Sequence, residues 1–210
     1  MPDITANTSD GYVFMSSLTW NGARNASSGS LVNSSASSNA FGIRADRTSG
    51  RGGSYNYNIA RSFFVFDTSG ISAEVDTASL IIRGYVNGGG DVIALQATSD
   101  ISTLGTADFD AIEGWGGTIV TYSSAHTTWD TSDWTSITLN ALAKTHMEDN
   151  ATLYVCVMNY DHDYRGASPS GYTAHRNGLY YADDSTYKPY ISYALAAQPQ
   201  TNGIFFGTNF

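Results

Sequence analysis

The stretch NIARSFFVF, residues 58–66, decides the fold class. Successive side chains of a β-strand point to opposite faces, so the stretch divides into two alternating sets. One set is Ala60, Ser62, Phe64 and Phe66, and the other is Ile59, Arg61, Phe63 and Val65. Both sets are largely apolar, as expected for a strand that is covered on both sides. The stretch therefore predicts a central strand, with Arg61 as its one charged side chain.

The strand ends in a turn whose polar residues have a structural role. Asp67 is followed by Thr68-Ser69-Gly70, which favours a turn closed by the Asp67 side chain, and Ile71 returns the chain to the core. Arg61 lies beside phenylalanines, so we expect its guanidinium to be buried and bound to backbone carbonyls or a carboxylate. Both residues are interpreted as structural rather than catalytic.

The composition extends the β prediction to the whole chain. Ser, Thr, Asn and Gly supply 83 of the 210 residues, and only 14% of residues are charged. There are two lysines and three glutamates but 14 tyrosines, so strong helix formers are scarce and strand and turn formers abundant. We expect an all-β protein.

Ten segments have strand character between turn residues, which indicates a β-sandwich. They are residues 11–15, 40–45, 58–66, 77–86, 91–98, 118–123, 134–139, 151–158, 171–181 and 187–195. One short helix is expected, capped by Asn140 and running through Met147, with Leu142 and Met147 facing inward.

Charge and cysteine content exclude several classes of partner. The net charge is -9, so no basic surface is expected to bind nucleic acid or an anionic membrane. Cys156 is the only cysteine, which excludes an internal disulfide and disfavours a cysteine zinc site. It lies in an apolar run and is predicted to be a small core residue.

No catalytic set can be assembled from the sequence, and we expect a protein that is not an enzyme. There is no Gly-x-Ser-x-Gly motif, and the four histidines, His126, His146, His162 and His175, stand alone. Asp161-His162-Asp163 offers metal-ligand atoms but lacks the calcium-loop spacing, so no metal and no cofactor are predicted.

Aromatic residues in loops are the best argument for sugar binding, because the C–H faces of sugars stack on exposed aromatic rings. The glycan-binding candidates are Trp115, Trp129, Tyr160, Tyr164 and Tyr172. The competing interpretation is that these large aromatics lie in the core or at subunit interfaces.

One group of motifs resembles a known family. Arg61 leads an apolar strand, Phe66-Asp67-Thr68-Ser69-Gly70-Ile71 follows, and Ala78-Ser79-Leu80-Ile81-Ile82 forms the next strand. Four further segments occur in the same order as in that family: Asp10-Gly11-Tyr12-Val13, Asp108-Phe109, the Asn140 helix and Lys188-Pro189-Tyr190-Ile191-Ser192-Tyr193. This pattern resembles the DNRLRE-type β-sandwich domains, which are related to carbohydrate-binding modules and occur in bacterial surface proteins and tailed-phage virion proteins.

The resemblance covers roughly residues 10–193 and implies a jelly-roll β-sandwich, which by itself identifies no ligand. We expect a sandwich over residues 1–195 and a C-terminal arm over residues 196–210. The N-terminus lacks the basic and apolar regions of a signal peptide, and no apolar run approaches the length of a membrane span. A leaderless copy of this domain favours the phage-like members of the family, made in the host cytoplasm and localised in the virion.

These expectations lead to one preferred function and one alternative. The preferred function is a non-enzymatic phage virion structural protein, as a head decoration, fibre or tail accessory subunit, in contact with other virion proteins. The alternative is a carbohydrate-binding module that recognises a polysaccharide. Phe205, Phe206 and Phe210 form an apolar end that is predicted to contact another subunit, and a trimer is expected because virion proteins often use threefold contacts.

Overall fold

A computed structural model describes residues 1–170 and 175–197 of the chain. The described residues form eleven strands and two short α-helices. The strands are β1 (Asp3–Thr5), β2 (Gly11–Ser17), β3 (Leu31–Asn33), β4 (Ser38–Ser49), β5 (Tyr55–Asp67), β6 (Val75–Asn87), β7 (Val92–Gln96), β8 (Trp134–Thr138), β9 (Thr152–Asn159), β10 (Arg176–Tyr180) and β11 (Tyr190–Leu195). The helices are α1 (Trp20–Arg24) and α2 (Ala141–Asp149).

The strands build two antiparallel layers. The first, sheet A, has the order β8–β6–β11–β1. The second, sheet B, is centred on β5, which pairs with β2 along one edge and with β4 and then β9 along the other. Strand β3 extends sheet B beyond β2, and β7 extends it beyond β9. Strand β10 pairs with both β4 and the end of β6, and so joins the two sheets at one corner.

The predicted central strand is confirmed, because β5 has partners on both edges and apolar cores on both faces. Phe64 and Phe66 pack between the sheets, together with Leu80 and Ile82 of β6. We call this the inter-sheet core. The opposite face of β5 contributes to a second cluster, the outer core, whose members from β5 are Ile59, Phe63 and Val65.

Loops and short helical turns form a third layer over the outer core. The buried apolar side chains of this layer include Trp20 and Ala23 of α1, Ile101, Leu104 and Phe109. Cys156 is fully buried in this core, where burial raises the pKa of its thiol, as expected for a small core residue. The molecule is therefore a β-sandwich whose sheet B is covered by an irregular layer.

The turn after β5 forms as predicted. The Asp67 carboxylate accepts hydrogen bonds from the backbone N–H of Ser69 at 3.0 Å and from its hydroxyl at 2.6 Å. These bonds lower the pKa of Asp67. Ile71 is buried in the inter-sheet core, so the motif is a structural corner.

The prediction of an all-β sandwich of about ten strands is confirmed, whereas several details were wrong. Residues 118–123 contain only an isolated bridge at Thr121, and β1 and β3 were missed because each has three residues. The chain has a second α-helix, α1, in addition to the predicted one. In α2 the Asn140 side chain accepts a hydrogen bond from Ala143 N as expected, but Leu142 is 40% exposed. Ala143 and Met147 face the core instead.

Candidate functional site

Arg61 of β5 binds the irregular layer, and the prediction that its guanidinium is buried against backbone carbonyls or a carboxylate is confirmed. Its Nε donates to Asp163 Oδ2 at 2.7 Å, and its Nη2 donates to Asp163 Oδ1 at 2.8 Å. The two side chains form a fully buried, bidentate ion pair. Nη1 donates to the carbonyl of Phe109 at 2.6 Å, and Nη2 also donates to the carbonyl of Arg24 at 3.0 Å. The buried charge therefore has a carboxylate and two carbonyls as partners.

These contacts fasten three distant segments to the central strand. Arg24 is the last residue of α1, Phe109 lies in a 3₁₀ turn over Thr106–Asp110, and Asp163 lies in a π-helical turn over Tyr160–Tyr164. A buried charge without its partner is costly, so each segment is held in one arrangement. The loops of this layer are thereby preorganised.

Trp115 covers the ion pair. The Arg61 guanidinium carbon lies 4.0 Å from the centroid of the Trp115 ring and 4.1 Å from that of Phe109. The guanidinium carbon of Arg24 lies 4.6 Å from the Trp115 ring. Cation–π contacts of this kind are stronger where water is excluded. Trp115, a predicted glycan contact, is thus half-buried and already stacks against two arginines.

The structure brings three of the five predicted glycan-binding residues into the same layer. Tyr160 and Tyr164 stack on each other with ring centroids 5.4 Å apart, and both are half-buried. Arg24 links Trp115 to the π-helical turn that carries Tyr160 and Tyr164, because Arg24 Nε donates to the carbonyl of Asp163 at 2.7 Å. We call Arg24, Trp115, Tyr160 and Tyr164 the Trp115 surface.

An open depression of about 420 Å³ lies on this surface. Arg24, Gly117, Thr118, Ile119 and Tyr164 line it. The lining combines a guanidinium and hydroxyl groups with an apolar side chain, which suits a ligand that has both polar and apolar faces. Of the predicted glycan-binding residues, Tyr164 lines the depression, which is the candidate binding site on this surface.

Trp129 does not belong to this surface, contrary to the prediction. It is 6% exposed and packs in the inter-sheet core, where its indole N–H donates to the carbonyl of Gly178 at 3.1 Å. A ring in this position has no face available to a sugar. Tyr172 lies outside the described residues, as do Phe205, Phe206 and Phe210 of the predicted subunit contact.

The acidic loop next to the tyrosines uses its carboxylates internally. Asp163 is bound to Arg61, and Asp161 Oδ2 accepts a hydrogen bond from Asp91 N at 2.9 Å. His162 and His175 contact each other with ring centroids 4.2 Å apart, and burial lowers the pKa of His175. Within residues 1–170 and 175–197, no group of three His, Cys, Asp or Glu side chains has a metal-binding arrangement.

A second cleft, of about 270 Å³, contains a histidine that hydrogen-bonds to a tyrosine. The hydroxyl of Tyr122 and Nδ1 of His146 are 2.8 Å apart, and Glu113 also lines the cleft. Burial, with the nearby Glu113 charge, raises the pKa of Tyr122, so the phenol is held neutral. The prediction that the histidines stand alone was wrong for His146 and for the His162–His175 pair.

Arg24 was missed by the sequence reasoning, although a helix pattern was present. Thr19 is a preferred N-cap residue, and its hydroxyl accepts a hydrogen bond from Gly22 N at 3.1 Å. Trp20 and Ala23, three residues apart, form the buried face of α1. This pattern predicts a short helix and places Arg24 at its end.

No protein-family model matches the chain, and no curated protein has a significantly similar sequence. In the part of the chain that the structure describes, no helix is both long enough and apolar enough to span a membrane.

Proposed function

We propose that this protein is a non-enzymatic structural subunit of a tailed-phage virion, in a head decoration, fibre or tail accessory position. The observation that carries the proposal is the role of Arg61. Arg61 lies in the middle of β5, which includes the segment resembling tailed-phage virion domains and is the centre of sheet B. Arg61 fixes the outer loops through a buried ion pair.

The physical properties of the described residues suit a particle component. A subunit of this kind needs a rigid scaffold and a preorganised outer surface more than a mobile cleft. Sheet B has a core on each face, and Arg61 joins the covering layer to it. We further propose contacts with other virion proteins and a homotrimeric assembly.

Mass spectrometry of purified particles of the parent phage tests the proposal. The chain should be present in amounts comparable with those of other structural subunits, and portal, capsid or terminase genes should lie nearby. Its absence from particles, with polysaccharide-degrading genes as neighbours, would contradict the virion function.

A carbohydrate-binding module is the second candidate, and the depression on the Trp115 surface favours it. Arg24, Thr118 and Tyr164 line the depression and carry groups able to hydrogen-bond to sugar hydroxyls. A glycan array with the recombinant protein tests this candidate. Binding that is lost in Tyr164→Ala but kept in Tyr55→Ala, at the start of β5, would place the sugar in this depression.

A further inference from the structure

The outer side of sheet A carries five aromatic rings in a continuous row. Their centroids follow one another at 5.4 Å from Tyr190 to Trp134, 6.1 Å to Tyr187, 4.8 Å to Tyr180 and 5.4 Å to Tyr85. The guanidinium carbon of Arg83 lies 5.2 Å from the Tyr187 ring. We call Tyr85, Trp134, Tyr180, Tyr187 and Tyr190 the aromatic face.

Strand register explains why these rings point away from the core. Trp134 and Tyr180 alternate with neighbours that are buried: Thr135 follows Trp134, and Leu179 precedes Tyr180. Tyr85 is 48% exposed, and the other four residues are half-buried. The rings contact one another through tilted and edge-on geometries with interplanar angles of 51–80°. Each ring is supported by its neighbours while part of it remains open to solvent.

Hydroxyl side chains continue the same side of the sheet beyond the rings. Ser79 pairs with Thr138 on one side and with Ser192 on the other, which places three hydroxyls side by side across β8, β6 and β11. Ser136 lies between this row and Trp134 on β8. All four residues are exposed or half-buried. A ligand on this side of the sheet meets stacking rings at one end and hydrogen-bonding groups at the other.

The charge around the aromatic face selects among such ligands. Burial raises the pKa of Tyr190, and the nearby carboxylates of Asp3 and Asp133 raise it further. Hydrogen bonds from Ser132 and Asp133 lower the pKa of Asp130, and the positive charge of Arg83 adds a smaller contribution in the same direction. With a net charge of -9 on the chain, an anionic ligand is disfavoured.

We infer that the aromatic face is a binding site for an uncharged polysaccharide. Sugar rings have apolar C–H faces that stack on aromatic rings and hydroxyls that bind polar side chains, and this side of sheet A supplies both kinds of contact. The other natural occupant is a second copy of the chain. Tyr, Trp and Arg are enriched at protein interfaces, whereas serine is depleted there, so it is the row of hydroxyls beside the rings that favours the polysaccharide. The inference does not rest on the virion function; it gives the carbohydrate-binding candidate a site on a surface other than the Trp115 surface.

Affinity electrophoresis in native gels tests this site with defined probes. The gels contain dextran, xyloglucan, galactomannan or soluble β-1,3-glucan, and a parallel gel contains anionic alginate. We expect at least one of the four uncharged polymers to retard the protein and alginate to leave its mobility unchanged. Trp134→Ala and Tyr187→Ala should each weaken the binding about tenfold, since each removes a stacking ring.

Matched variants distinguish a sugar site on the aromatic face from binding at the Trp115 surface and from a subunit contact. Tyr55→Ala removes another partly exposed tyrosine away from the aromatic face and should bind like the parent protein. Tyr164→Ala tests the Trp115 surface: binding kept in Tyr164→Ala and weakened in Tyr187→Ala assigns the sugar to the aromatic face. Tyr187 lies outside the strands, so polysaccharide binding can be measured with Tyr187→Ala even if Trp134→Ala does not fold.

Three results would overturn the inference. The first is retardation by none of the uncharged polymers. The second is binding that is lost in Tyr164→Ala but kept in Tyr187→Ala, which moves the site to the Trp115 surface. The third is a mass by light scattering that falls in Tyr187→Ala, without retardation by any polymer, which assigns the face to a subunit contact instead.

Discussion

The Trp115 surface and the aromatic face use the same kinds of side chain for different purposes. In the first, an indole stacks over Arg61, whose charge is fully buried and bound to Asp163. In the second, Arg83 lies over Tyr187 on the outer side of a sheet, and the neighbouring rings remain partly exposed. Residue type alone therefore does not identify a binding surface. The two regions differ in the kind of partner that the protein provides: Trp115 covers a buried ion pair, whereas Trp134 contacts other partly exposed rings.

The largest expected difference between the two regions is in how much each contributes to the free energy of unfolding. Substitutions of Arg61 and Arg83 allow this difference to be measured. Arg61→Met leaves the Asp163 carboxylate buried without its main partner, so the free energy of unfolding should fall by about 3–5 kcal/mol. Arg83→Met removes a partly exposed contact and should cost less than about 1 kcal/mol. Urea unfolding followed by circular dichroism gives both values.

A double substitution shows whether the loss comes from the unpaired charge. Arg61→Met with Asp163→Leu removes both charges and should be more stable than Arg61→Met alone. Equal losses for Arg61→Met and Arg83→Met would remove the distinction between a structural and an exposed arginine–aromatic contact.

A second buried acid extends the comparison to groups whose partners are incomplete. Asp10 Oδ2 accepts a hydrogen bond from Ala182 N at 2.9 Å, but Oδ1 is buried and has no hydrogen-bond partner among the described residues. Burial raises the pKa of Asp10 to about 7. Because the folded state holds this proton more tightly than the unfolded state does, the stabilisation is present at low pH and is lost as the pH rises toward 7.

Asp10→Asn tests this pH dependence. Between pH 5 and pH 8, the free energy of unfolding of the parent protein should fall by roughly 2 kcal/mol relative to that of the variant. Parallel curves for the two proteins over this range would mean that Asp10 is ionised in the folded state throughout.

Substitution of Trp115 should lower the free energy of unfolding more than substitution of Trp134. The difference should be smaller than that between the two arginine variants. Trp115→Ala uncovers the Arg61 ion pair and removes two cation–π contacts, so we expect a loss of about 2 kcal/mol. Trp134→Ala removes a ring from the outer side of sheet A and should cost less than about 1 kcal/mol. Thermal unfolding of the two variants under identical conditions checks this order, and a larger loss for Trp134→Ala would mean that the aromatic face is mainly structural.

Short-range patterns in the sequence were sufficient to predict the central strand and the turn that follows it. The alternation in residues 58–66 predicted both faces of β5, and the Asp67 turn and the Asn140 cap depend on partners within three residues. The sequence predicted that the Arg61 guanidinium binds a carboxylate or backbone carbonyls, but it did not predict which residue supplies the carboxylate. Asp163 is 102 residues away, and only the packing of the loop layer brings the two together.

The errors about aromatic residues have a common cause. Exposure was inferred from position outside the strands, yet the Trp129 side chain is buried in the inter-sheet core although its neighbours Thr128 and Asp130 are not buried. Conversely, Trp134 and Tyr190 lie in strands but point outward, as the register of β8 and β11 with β6 requires. Such cross-strand register depends on pairing between distant segments, which a single sequence does not specify.

The smallest expected effect on stability comes from the third aromatic set, Phe205, Phe206 and Phe210, which lies outside the described residues. Truncation after Ala197 retains all of β11 and the hydrogen bond from Ala196 N to the carbonyl of Glu74, at 2.8 Å. The free energy of unfolding should therefore change by less than about 0.5 kcal/mol. If the phenylalanines hold subunits together, light scattering should give the full chain roughly three times the mass of the truncated chain, as for a trimer. A truncated protein that keeps the mass of the full chain and still enters particles would leave the assembly to the surfaces of the sandwich itself.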